Sequence, residues 1–363
     1  MIRFALCLLI ALLLSACAGP GEKAQFRLGL DPSAEVKRLT WPPESSEQVP
    51  RYFYVGELVG DPNFVKPEPG NKQAKNIFAL IVGLLIGEDP PLIMDRPQSG
   101  AVDEKGRIFV TDIGRAGVFV FDETQNKSAF WDRADELTPF VTPVAIAVGP
   151  EGQIFVSDAE LGLVARLDVN GKFMPSIGKG QLSRPTGLVF DVSTRRLYVA
   201  DTPEHQIKVF DLEGQLLATI GAFGEGPGEL NYPTHLSLAD GKLYVSDTLN
   251  ARIQVFSTLD GKRISQVGKR GNYIGNMVRP KGVATDSEHN IYVIESNHDY
   301  LLVYNRRGEF LMAIGGVGGG PGNFHLPAGV WTDSHNRIFV ADMLNSRVSV
   351  FQFLGGDMED VNE

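Results

Sequence analysis

Cysteine is almost absent from this sequence. Its 363 residues hold two, Cys7 and Cys17, both near the start. From residue 18 onward there is no thiol, which excludes a disulfide, a thiolate metal site, a cysteine nucleophile and a Cys-x-x-Cys-His haem attachment there. Positive charge is in deficit as well: 34 Lys and Arg face 44 Asp and Glu, for a net charge of −10. Nucleic-acid binding needs clustered Lys and Arg to neutralise phosphates, so this balance argues against it. Long apolar runs are missing too. Phe4–Leu14 and Ile77–Gly87 have 11 residues each, well short of the roughly 20 that a membrane-spanning helix requires. Nor does a helical period alternate with the apolar segments, which disfavours a βαβ fold.

What the chain does have is turn chemistry. It carries 40 glycines and 22 prolines, more than usual yet far from a disordered or collagen-like composition. Hydrophobic residues at 43% and charged residues at 21% are ordinary for a globular protein. Closed β architectures regularly reach this length as one domain.

The first residues read as a targeting segment. Arg3 precedes the short apolar run Phe4–Leu14, and Leu14-Ser15-Ala16-Cys17 follows. An apolar run this short is a signal-peptide core rather than a span. Leu-Ser-Ala-Cys resembles the lipobox of bacterial lipoproteins. The resemblance implies cleavage after residue 16 and a diacylglycerol and an acyl chain, such as palmitate, on Cys17. Ala18 stands where Asp commonly retains such proteins at the inner membrane, so the outer membrane is the expected location. Two or three acyl chains anchor far more firmly than one.

The rest of the chain repeats. Prolines recur at Pro97, Pro143, Pro185, Pro233, Pro280 and Pro327, at spacings of 42 to 48 residues. About 15 residues after each, an acid closes an apolar segment: Asp112 (IFVTD), Asp158 (IFVSD), Asp201 (LYVAD), Asp247 (LYVSD), Glu295 (IYVIE) and Asp342 (IFVAD). Further β-rich segments follow, such as IKVFD and LLATIG in the third repeat. Turn residues separate them, including Gly106, Asp240-Gly241 and His289-Asn290, with Gly or Asn suited to positive φ. Four short strands in about 46 residues make one small antiparallel sheet, and only several such sheets packed around an axis bury their faces.

The repeat resembles the NHL family of six-bladed β-propellers. Pro-x-Gly leads the repeat, an apolar strand ends in Asp, and Asn-x-Arg-Ile-x-Val-Phe follows. Repeat four supplies Asp247, Asn250, Arg252, Ile253, Val255 and Phe256; repeat six supplies Asp342, Asn345, Arg347, Val348, Val350 and Phe351. The resemblance covers residues 96–353. A WD-type repeat is not supported, because Trp131-Asp132 stands alone.

Repeat six runs out after its third strand. The β-rich stretch 51–60 (RYFYVGELVG) lies upstream of repeat one, and we expect it to supply the missing outer strand, closing the ring and covering an aggregation-prone edge. The expected organisation is a signal peptide at 1–16, a lipidated tether at 17–50 and an all-β six-bladed propeller at 51–363. An insertion at 65–95 interrupts it. There the apolar stretch 77–87, ended by Pro90 and Pro91, is expected to form a short helix. Leu80, Leu84 and Leu85 on it are candidate docking residues, with packing against the propeller and a membrane-surface helix as the other readings.

Chemistry is expected on the top face, where the lead-in to the first strand meets the loop between strands two and three. The six acids ring this face and are expected to accept loop N–H groups and pair with Arg, which stands before the entry proline as Arg96, Arg184 and Arg279 and in the second loop as Arg115, Arg252 and Arg347. His205 and His298 sit in second loops, and His325 in a lead-in loop. His235 stands two residues after its proline, where Gly187, Gly282 and Gly329 stand in other blades, and is expected at the central channel. His235, Glu295 and His298 form a candidate N/O set for a divalent metal. NHL-like amidating lyases place His directly after the proline in several blades. This chain has Gln98, Val144, Thr186, Thr234, Lys281 and Ala328 there. The glycine-rich stretches 221–228 and 315–322 lack a phosphate-loop Gly-Lys-Ser/Thr ending and read as blade connections.

The expected function is therefore a lipid-anchored protein-binding or scaffold propeller in the bacterial cell envelope, with an envelope protein as partner and no cofactor beyond the lipid. The alternative is a metal-dependent hydrolase or lyase with its site at the top of the channel.

Overall fold

A computed structural model describes residues 25–28, 39–65 and 90–355. Six antiparallel sheets follow one another along the chain. Blade one is typical: Pro97–Val102 is the innermost strand, followed by Arg107–Asp112, Gly117–Asp122 and Lys127–Trp131, each paired with the next. Blades two to five repeat this order. Blade six takes its first three strands, Pro327–Thr332, Arg337–Asp342 and Arg347–Phe353, from the end of the chain.

The fourth strand of blade six is Tyr52–Leu58, with Leu58 opposite Val348 and Tyr52 opposite Phe353. This is the closing strand expected at 51–60. Within the stretch read as a tether, Thr40–Trp41 adds a fifth strand by pairing with Phe53 and Tyr52. Gln25–Phe26 pairs with Phe64–Val65. Aromatic contact explains both additions. Trp41 lies edge-on to Phe351 at 5.5 Å, and Phe26 lies 5.3 Å from Phe64. The helix expected over 77–87 falls outside the described residues. Among the described residues the helical elements are five three-residue 3-10 turns, and no helix is long and apolar enough to cross a membrane.

The strand period of two explains why the second strands are apolar at successive positions. Ile108 and Val110 pack toward blade six, with Phe339 and Val348, whereas Phe109 packs toward blade two, with Ile146 and Ile154. Every blade is thus buried on both faces. The core is six clusters, one between each pair of neighbouring blades, and the one joining blade six to blade one includes Leu58 from the closing strand. Each fully buried Phe or Leu contributes about 1.5–3 kcal/mol.

Turn geometry sets the hairpins. Asp240 and Gly241 both take positive φ, 49° and 69°, as a two-residue turn between Pro233–Ala239 and Lys242–Asp247 requires. In blade five His289, at φ 63°, takes the left-handed conformation rather than its neighbour Asn290.

Candidate functional site: the top face and the central channel

The six repeated acids are buried, and they build the blades. Asp112 accepts the N–H groups of Asp95 and Arg96 at 2.7 and 3.0 Å. Asp158 does the same for Val141 and Thr142, Asp201 for Ser183 and Arg184, and Glu295 for Val278 and Arg279. Asp247 accepts from Asn231, and Asp342 from His325, both at 2.7 Å. Each carboxylate staples the loop that leads into its own blade. The expected Arg partners appear in two blades: Arg252 meets Asp247 at 2.7 Å and Arg347 meets Asp342 at 2.9 Å. Lys208 pairs with Asp201 at 2.7 Å. Arg115 instead donates to the carbonyl of Ile93; it stands three residues after Asp112, where Asn250 and Asn345 follow their acids, and the place of Arg252 and Arg347 is Gly117 in blade one. Burial pushes the Asp342 carboxyl up, against the pull of Asn345, His325 and Arg347.

The candidate histidines fall in separate places. His205 ends a 3-10 turn, Thr202–Glu204, with φ 57°. Its Nδ1 accepts the Tyr232 N–H at 3.2 Å, and its ring lies edge-on to Phe223 and Tyr232 at 4.7 and 4.8 Å. His298 Nδ1 sits 4.0 Å from the Glu295 carboxylate. The side chain of His325 is exposed. His235 lies in the channel wall, 8% exposed, with neither ring nitrogen hydrogen-bonded. Glu295 and His298 do not line that cavity. Among the described residues no group of three His, Cys, Asp or Glu side chains is arranged to hold a metal ion. Cys17 and Leu80, Leu84 and Leu85 lie outside the described residues.

The channel waist is set by close approach of the first strands. A Cβ on Gly187 would meet the Thr234 carbonyl oxygen at 2.5 Å, and one on Gly329 would meet that of Gln98 at 2.3 Å. Ser99, Ala145 and His235 occupy the same level in the other blades, and His235 is by far the largest of the set.

Sequence reasoning missed the exposed apolar surface of the top loops. Phe223 is 68% exposed, Tyr273 84% and Val317 74%, and Tyr232, Leu249 and Ile274 join them. Phe223 and Val317 stand at the same position of the connections after blades three and five, bridging to Leu230 and Phe324, and Arg270 holds the corresponding place after blade four. Phe223 and Tyr232 both pack on His205, the Leu249 N–H donates to the Asn231 carbonyl, and Arg270 donates to the Leu249 carbonyl. One large apolar residue inside each glycine-rich connection is the signal that marks it.

A family described as 6-bladed beta-propeller matches residues 278–362, and the NHL repeat matches residues 182–210. Protein brain tumor of Drosophila melanogaster is 25% identical over 142 residues, which is 38% of this chain and 13% of that protein. Among solved structures, virginiamycin B lyase from Staphylococcus aureus is similar with a TM-score of 0.52 at 14% identity, over 71% of this chain and 95% of that one. XC5397 from Xanthomonas campestris, described as a gluconolactonase, is similar with a TM-score of 0.55 at 14% identity, over 73% of this chain and 90% of that one. At these identities the likeness concerns the fold. Sheet order, ring closure and the matches agree: the chain is a six-bladed β-propeller with an NHL repeat at residues 182–210.

Proposed function

We propose that this protein is a lipid-anchored binding propeller of the bacterial cell envelope, whose top face captures a protein partner. The observation that carries the reading is the exposed apolar surface on the top loops of blades three to five: Phe223 and Tyr232 packed on His205, and Tyr273 on the next blade connection. Exposed aromatics grouped on one face are costly in water and are typical anchors of protein interfaces. The repeated acids on that face are engaged by backbone N–H groups, which supports a frame for docking rather than a set of free acid–base groups. The lipobox-like Leu14-Ser15-Ala16-Cys17 supports anchoring through Cys17, with Ala18 favouring the outer membrane.

Photo-crosslinking in cells tests the docking face. A benzophenone side chain is placed at Tyr273, and in a second strain at Leu259 on the opposite rim. A protein adduct at Tyr273 that is lost in Phe223→Glu and absent at Leu259 is the expected result. Equal adducts at both positions, or none at Tyr273, would defeat the reading.

A further inference from the structure

The six first strands leave a channel, and from its waist downward it forms a cavity of about 280 Å³. The wall holds no Asp, Glu, Lys or Arg. Val102, Val148, Val189 and Leu238 supply apolar surface, while Ser99, Ser237, Thr285, Thr332, His235 and Trp331 are its polar members.

Two of those polar groups are buried without partners. His235 is 8% exposed and Trp331 7%, and neither the two imidazole nitrogens nor the indole Nε1 makes a hydrogen bond. Buried polar groups are normally paired, because each unpaired one keeps its desolvation cost. Burial, reinforced by the nearby Lys281 charge, pushes the His235 imidazole down to about 3, so it is neutral at physiological pH. A neutral imidazole offers one donor and one acceptor, and the indole offers one donor. An ion entering here would lose its hydration and meet no opposite charge among the residues that line the wall.

We propose that the lower channel binds a small uncharged molecule with an apolar body and one hydrogen-bonding group, such as an alcohol, and that the His235 ring, whose nitrogens are covered in this structure, turns to pair with this group. Apolar walls with a few placed polar groups are the usual form of a small-molecule pocket. The site is separate from the top-face patch, because neither Phe223 nor Tyr273 lines it.

Trp331 is one of three tryptophans and makes the test direct. The full chain, purified in detergent, is labelled with 5-fluorotryptophan and followed by fluorine NMR. Benzyl alcohol is the probe, and benzoate is its charged counterpart of similar size. The expected result is a saturable shift of the Trp331 resonance with benzyl alcohol and none with benzoate, while Trp41 and Trp131 stay in place. His235→Leu should weaken the probe about tenfold, the loss of one net hydrogen bond. His235→Asn keeps a donor and an acceptor and should recover part of that affinity. Phe223→Glu should leave it unchanged. A shift that never saturates, an equal response to benzoate, or affinity indifferent to both His235 variants would overturn the proposal. If His235→Leu disturbs the Trp41 and Trp131 resonances, His235→Asn decides alone: a saturable but weaker response supports the proposal, and affinity equal to wild type overturns it.

Discussion

Arg347, near the end of the chain, reaches back to Glu57 near its beginning. Its Nη1 donates to Glu57 Oε2 at 2.9 Å while its Nε donates to Asp342 Oδ2 at 2.9 Å. The ring is thus latched by a side chain of the last third strand against the strand that closes it. Arg347 also donates to the Gly320 and Asn323 carbonyls. One guanidinium, 6% exposed, therefore joins the closing strand, the last acid and the lead-in loop of blade six.

Removing that latch should be costly. Arg347→Met leaves the buried Asp342 carboxylate without its cation, and an orphaned buried charge typically costs about 3–5 kcal/mol. Arg184→Met breaks a pair with Glu160 whose two side chains are about half exposed, so it should cost under about 1 kcal/mol. Urea unfolding of the two variants checks the contrast.

The closing strand should be indispensable. Deleting residues 51–60 removes Tyr52 and Leu58 from two blade interfaces and exposes the Arg347–Phe353 edge. We expect aggregation or a loss of cooperative melting, measured by light scattering and differential scanning calorimetry. A truncated chain that melts like the full one would refute the closure argument.

The channel histidine should make the fold acid-sensitive. Its ordinary value near 6.5 applies to the unfolded chain, and the folded value lies near 3. Between these limits the unfolded state binds the extra proton, so stability falls as pH falls. The slope should be about 1.4 kcal/mol per pH unit inside the window. His235→Leu should lower that slope by one proton. Denaturant titrations between pH 7 and 4 measure it.

Tight approach of the first strands predicts a steric limit. Gly329→Ala places a methyl 2.3 Å from the Gln98 carbonyl oxygen, so the ring must open locally at a cost of about 1–3 kcal/mol. Gly180, at φ 76°, has nothing within 4 Å of an added Cβ. Gly180→Ala should therefore register backbone strain alone. Melting temperatures of the pair separate the two effects.

The proposed lipid anchor would rest on one side chain. If Cys17 carries it, Cys17→Ser should release the protein from membranes, since 11 apolar residues at 77–87 are too few for a span. Fractionation with a high-salt wash reads the outcome. Retention of the variant in the membrane fraction would make that apolar stretch an anchor in its own right.

Much of this was legible in the residues. The spacing of six prolines and six acids determined the number of blades, because each pair brackets one strand and its turn. Continuous apolar runs such as IFVTD determined that every blade is covered on both sides, since alternate side chains face opposite neighbours. The surplus of Tyr, Phe and Val at 51–60, beside a repeat short of one strand, determined the closure. Only the tertiary structure decided the rest. Which side chains remain in water depends on how neighbouring loops stack, so Phe223, Tyr273 and Val317 read as ordinary loop residues until blades three to six stood side by side. The six acids share one motif, yet whether each meets an Arg, a Lys or only backbone N–H groups follows from local loop geometry. His235 and Trp331 belong to blades four and six and are far apart in sequence. Ring closure alone brings them to the same cavity wall, because each contributes from a first strand and the first strands meet at the axis.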